Sequence, residues 1–142
     1  MQPRPIALVR DSFALFRPNA VRAATLFYGR LFDLDPSLRP LFRRDMAQQA
    51  ALLAQLLEVA VGSLDRIETI VPALHDLGRR HAAYGVRDEH YETVGTALLW
   101  TLEQGLGAAF TAEVRAAWIE AYGLLAATMR AGARAAVVAQ AA

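Results

Sequence analysis

The chain reads as an all-α protein, and three observations carry that reading. Nearly every segment repeats apolar residues at helical spacing, and no stretch alternates apolar and polar residues as a half-buried strand does. Pro, Asp, Asn, Thr and Gly fall at the borders of the periodic runs, where helix caps and stops belong. With 142 residues there is enough chain for one domain and a sizeable core. Six or seven helices are expected, in a single domain spanning 1–142 with no internal repeat or linker.

The run "PIALVRDSFALF" places Ile6, Val9, Phe13 and Phe16 on one stripe, and Pro18 ends it. Asn19 is expected to cap "AVRAATLFYGRLFDL", which is apolar almost all round and so expected to lie centrally. Asp35-Pro36 opens a short turn of helix through Phe42. Asp45 caps "MAQQAALLAQLLEVAV", which Gly62 and Ser63 close. Pro72 belongs to the first turn of the next helix, because its missing N–H is no loss there, and Gly85 stops that helix. Asp88 is the expected cap of "EHYETVGTALLWTLEQGLG". Thr111 caps the last long helix, on which Val114, Trp118, Tyr122, Leu125 and Met129 share a face. From Ala131 to residue 142 the chain is mostly Ala, Gly and Val and is expected to fray.

Composition narrows the function classes. The net charge of +1 creates no field that would draw nucleic acid or an anionic membrane. There is no Cys, which removes disulfides, thiolate catalysis and thiolate metal sites. No apolar run reaches the roughly 18–20 residues of a membrane span. The first residues are broken by Asp11 and lack a signal-peptide layout, so a cytoplasmic protein is expected.

The residues with chemistry cluster around "LHDLGRRHAAYGV". At 100° per residue, Leu74, Leu77, His81 and Tyr84 fall on one side of that helix, while His75, Asp76, Arg79 and Arg80 fall away from it. His75 and His90 are expected on the surface. An inward imidazole in an all-α domain is either a satisfied core residue or the ligand of a cofactor between helices, and haem suits such a site. In the preceding long helix Gln49 shares a face with Leu53, Leu56 and Ala60. Tyr28 sits among Val21, Ala24, Leu31 and Phe32. Periodicity alone leaves two readings for each: a partly exposed Gln and a core Tyr with its hydroxyl at the rim, or two buried polar groups that require partners.

The segments "FYGRLFDLDPSLRPLF", "QQAALLAQLL", "LGRRHAAYGVRDEHYETVGTALLWTLEQGLG" and "FTAEVRAAWIEAYGLLA", in that order, resemble bacterial single-domain globins. The similarity covers roughly residues 5–130 and is nearest to the globin domains of flavohaemoglobins and their free-standing relatives. It implies a three-over-three helical sandwich around one haem b. By this resemblance His81 is the proximal iron ligand, Phe42 packs on the haem, and Leu53 lies over the iron. Tyr28 and Gln49 are the distal pair that donate to bound dioxygen. Leu77, Val86, Val94 and Leu98 line the walls, and Arg80 (or Arg79) reaches the propionates. Tyr91 matches the Tyr of the proximal hydrogen-bond network. That network's acid, expected about a turn past Met129, is missing, since the chain there reads "MRAGARAA" and carries no Asp or Glu after Glu120.

The function implied is reversible, high-affinity dioxygen binding, for transport, storage or scavenging. Two charge-assisted donors, each worth roughly 1.5–3 kcal/mol, would slow release by about two to four decades. A Gln in place of a distal His implies five-coordinate ferrous haem. The alternative is a nitric oxide dioxygenase. Because the chain stops after the globin-like segment, that activity would draw its electrons from an external reductase.

Overall fold

The computed structural model describes the backbone of residues 1–141 and the side chains of residues 1–135. Six α-helices follow one another: α1 (Pro3–Phe16), α2 (Ala20–Leu34), α3 (Met46–Gly62), α4 (Val71–Ala83), α5 (Asp88–Leu106) and α6 (Ala112–Ala141). Short 3-10 turns occupy Arg17–Asn19, Pro36–Leu41, Leu64–Thr69 and Gly107–Ala109. The described residues form no strand, and none of their helices is long and apolar enough to cross a membrane.

Most of the expected caps form. The Asp35 carboxylate accepts from the Ser37 N–H at 3.1 Å, Asp45 from Gln48 at 3.3 Å, and the Thr111 hydroxyl from Val114 at 3.2 Å. Gly85 closes the α4 end at φ +100, a left-handed conformation that disfavours a side chain. Two caps differ from expectation. Asn19 lies in the 3-10 turn, and its side chain makes no capping bond. Asp88 is the first residue inside α5, where its charge meets the positive end of the helix dipole, and the cap before it is Arg87.

The core is laid down by Val9 and Phe13 of α1, Leu31 of α2 and Leu102 of α5. Trp118 of α6 donates its indole N–H to the Ser12 hydroxyl at 2.9 Å, and Ser12 donates onward to the Leu8 carbonyl at 2.7 Å, so α1 and α6 are joined by satisfied buried polar groups. Helix α2 packs on α3 and α5, but Val21, Leu26 and Leu34 remain exposed. It is therefore covered on its inner side alone, and the all-round apolar pattern overstated its burial.

The tightest packing joins α4 to α6. Gly78 is buried, and a Cβ built on it would overlap the Met129 backbone; a Cβ on Gly132 would overlap the backbone of His75. The two helices thus touch main chain to main chain, which two glycines permit. Residues 131–135, expected to fray, are helical, with Gly132 buried in this contact; the side chains of the rest of that tail lie outside the described residues.

Gly78→Ala should therefore force α4 and α6 apart and lower stability by about 1–3 kcal/mol, the usual cost of overpacking. Gly29→Ala provides the control, because a Cβ there meets nothing within 4 Å. It should stabilise by about 0.5–1 kcal/mol through helix propensity. Urea midpoints of the two variants check both signs.

Candidate functional site

Between α3, α4, α5 and α6 lies a cavity of about 310 Å³ with almost wholly apolar walls. Leu53 comes from α3, Leu77 and His81 from α4, Val94 and Leu98 from α5, and Val86 from the α4–α5 corner. Leu74 and Leu77 line the same wall as His81, as helical spacing requires. Tyr84 does not join them and is 63% exposed. Helix α4 ends at Ala83 and Tyr84 is its C-cap, its N–H still bonded to the Arg80 carbonyl at 3.0 Å.

The His81 Nδ1 lies 2.8 Å from the Leu77 carbonyl, one turn back on its own helix. A carbonyl can only accept, so Nδ1 carries the proton and Nε2 is left with the lone pair. Burial holds the imidazole pKa below its ordinary value, the Leu77 carbonyl offsets this in part, and the neighbouring Arg80 charge adds to the depression. The ring is accordingly a neutral nitrogen donor at neutral pH. Arg80 lines the cavity with its charged end outward, its Nε 3.3 Å from Asp76. Arg79 also reaches Asp76, at 3.2 Å.

Tyr28 and Gln49 form a pair, as their shared inward placement allows. Gln49 donates its side-chain amide to the Tyr28 hydroxyl at 3.1 Å. Tyr28 is 5% exposed, and burial raises its phenol pKa while the Gln49 bond lowers it. Phe42 joins the pair at its outer side, its ring 5.3 Å from Tyr28 and 5.4 Å from Phe32. None of these three side chains lines the cavity as enclosed here. Phe27, whose ring lies 5.0 Å from that of Tyr28, does line it. Leu53 lies one helical turn past Gln49 and also faces the cavity.

On the far side of His81 are Tyr91 and Tyr122, both lining the cavity. Burial and then the Asp88 charge raise the Tyr91 pKa. Sequence reasoning put Tyr122 on the inner face of α6 but missed its role. Its hydroxyl donates to the Tyr91 carbonyl at 2.5 Å, burial pushes its pKa upward, and a Cβ on Gly95 would lie 2.8 Å from its ring. The signal available was the α6 stripe Val114–Trp118–Tyr122. On α6, one residue past Met129, Arg130 lies over the Tyr91 ring at 5.7 Å, its Nε 3.4 Å from Asp88. His90, expected on the surface, is 5% exposed.

These residues fit a haem on chemical grounds. A large apolar planar group needs apolar helix faces, its iron needs a neutral nitrogen, and its carboxylates need cations at the rim. The cavity walls, His81 and Arg80 supply those three features.

Comparison with known proteins agrees with this geometry. The globin family model matches residues 25–129. Zebrafish (Danio rerio) neuroglobin is 31% identical over 139 residues, covering 88% of this chain and 87% of the neuroglobin. A flavohemoprotein from Bacillus thuringiensis subsp. konkukian is 33% identical over 129 residues, 89% of this chain but 32% of the longer protein. Among solved structures, the engineered carbene transferase RmaNOD from Rhodothermus marinus, described as a candidate nitric oxide dioxygenase, superposes with a TM-score of 0.90 at 26% identity, over 100% of this chain and 99% of that one. With an inward imidazole in an apolar cavity between helices and a family match over most of its length, this chain belongs to the globin family.

Proposed function

We propose that this globin binds one haem b through His81 and holds dioxygen reversibly and tightly. The observation that carries the reading is the Tyr28–Gln49 pair. Gln49 donates to the Tyr28 oxygen, and among the described residues the phenol's own hydrogen has no acceptor within the protein. A buried donor left unpaired costs about 1–3 kcal/mol. A haem held here would supply the iron that binds dioxygen and leaves it partly negative, and the Tyr28 hydroxyl would donate to it the hydrogen that lacks an acceptor. The Gln49 bond polarises the O–H and strengthens it as a donor. Phe27, Phe32 and Phe42 keep the surroundings of Tyr28 apolar, so a hydrogen bond there forms where water competes little. His81 holds its proton on Nδ1 against Leu77 and presents Nε2 as the donor nitrogen.

A second reading is nitric oxide dioxygenation, with electrons supplied by a separate reductase. The likeness to RmaNOD over the full chain favours it, and the same Tyr28–Gln49 pair serves it equally. The two readings separate on turnover. Reduced, haem-loaded protein equilibrated with air and mixed with nitric oxide should yield about one nitrate per haem. Continued turnover on adding a bacterial flavin reductase and NADH, at rates matching the single-turnover step, would make the second reading the correct one.

Two variants test the site. His81→Gly should lose haem or hold it only with added imidazole, read from the Soret band of the purified protein; unchanged retention would remove His81 from this role. Tyr28→Phe keeps the ring and deletes the donor. Dioxygen release should accelerate by about tenfold or more, the scale of one charge-assisted hydrogen bond, while carbon monoxide release changes far less. Equal shifts in both off-rates would show that Tyr28 shapes the pocket sterically instead.

A further inference from the structure

His90 is a buried imidazole that the proposed site leaves unused. It is the third residue of α5, and its Nδ1 accepts the Arg87 backbone N–H at 2.9 Å. In this capping arrangement the third helical residue is ordinarily Glu or Gln, whose side chain reaches back to the residue before the helix. An imidazole can take that part only with a lone pair on Nδ1 and its proton on Nε2.

The segment that His90 holds is short and is tied at its other end to His81. The Val86 N–H donates to the His81 carbonyl at 2.9 Å, and the Gly85 N–H to the Ala82 carbonyl at 3.1 Å. Gly85 stands at φ +100, and a Cβ on it would lie 3.3 Å from the Leu41 side chain, so this corner suits glycine. Between the Val86 amide, bonded to His81, and the Arg87 amide, bonded to His90, there is a single residue step. The Val86 side chain forms part of the cavity wall beside His81.

We propose that His90 is a positioning residue for His81. Its Nδ1 fixes the Arg87 amide, which sets the direction of the corner, and the corner holds both the His81 carbonyl and the Val86 side chain in place. The inference rests on the reading of His81 as the iron ligand, but its first consequence concerns the backbone alone.

The test compares the full chain as purified with His90→Leu, which keeps burial and deletes the acceptor, and His90→Gln, which restores a side chain suited to that position. Hydrogen exchange of the Val86 and Arg87 amides should speed up by about tenfold or more in His90→Leu, relative to amides of α1, and return toward wild type in His90→Gln. In the ferrous haem-loaded proteins the iron–histidine stretching band should broaden or shift in His90→Leu and recover in His90→Gln. Nitrogen NMR of the wild-type His90 ring should find its proton on Nε2, a result that stands even if His90→Leu fails to fold. A proton on Nδ1, or Val86 exchange and an iron–histidine band unchanged in His90→Leu, would overturn the proposal. Failure of the wild-type chain to take up haemin would overturn the haem reading instead, while the exchange and NMR results still decide whether His90 governs the corner.

Discussion

Gly78 on α4 and Gly132 on α6 let two helix backbones touch, and the arrangement around His81 depends on that contact. Helix α4 has 13 residues and would be marginal in isolation. Its placement comes from tertiary packing, and the nearest support is main chain rather than side chains that could rotate. The cavity beside this contact is lined by His81 and Leu77 from α4 and by Leu125 and Met129 from α6. By fixing where α4 lies on α6, the two glycines fix where the imidazole stands.

The opposite side of the site is held by different means. There the groups with chemistry sit in an aromatic cluster of Tyr28, Phe32 and Phe42, with the Arg39 guanidinium over the Phe32 ring at 5.4 Å and its N–H on the Phe42 carbonyl at 3.2 Å. Ring contacts of this kind are individually worth little beyond their burial, and side chains can shift within them at modest cost. In the proposed reading a backbone-fixed donor nitrogen is combined with a side-chain-built polar pair, which can adapt to a small ligand while the nitrogen stays in place. The polar pair remains specific despite that freedom, because the Gln49 amide already occupies the phenol oxygen and leaves one hydrogen to offer.

Much of this was legible in the sequence, and the gaps have physical causes. Periodicity placed Leu74, Leu77 and His81 on one wall, whereas for Tyr28 and Gln49 it left two readings open, and the bond between them decides for a paired arrangement. Tyr84 fits the periodicity, but α4 ends at Ala83 and Tyr84 is its cap, with no further turn of helix to cover its ring. His90, expected on the surface, is instead buried at the start of α5, where its ring turns back to accept the Arg87 N–H, a local bond that periodicity does not encode. The Tyr122–Tyr91 bond joins residues 31 apart, and no local pattern encodes such a pairing. Gly78 was visible as a helix-interior glycine, a residue that costs about 1 kcal/mol against Ala. The reason for that cost was a backbone more than fifty residues away, which one sequence cannot reveal.

The proximal side bears on the choice between binding and redox chemistry. An imidazole that donates to a carboxylate gains basicity and pushes charge toward its metal; one that donates to a neutral amide carbonyl gains less. His81 donates to the Leu77 carbonyl. On the face where an acid could strengthen the push, the α6 residue over Tyr91 is Arg130, and its charge is matched by Asp88 rather than aimed at the imidazole. The local charge beside Tyr91 is therefore balanced, and Tyr122 ties down the Tyr91 backbone without adding any. A less basic axial nitrogen favours ferrous over ferric iron, since the higher charge state profits more from a strong donor. Ferrous iron is the form that takes up dioxygen, so under the proposed reading the groups behind His81 and the unpaired hydrogen of Tyr28 would both favour reversible binding.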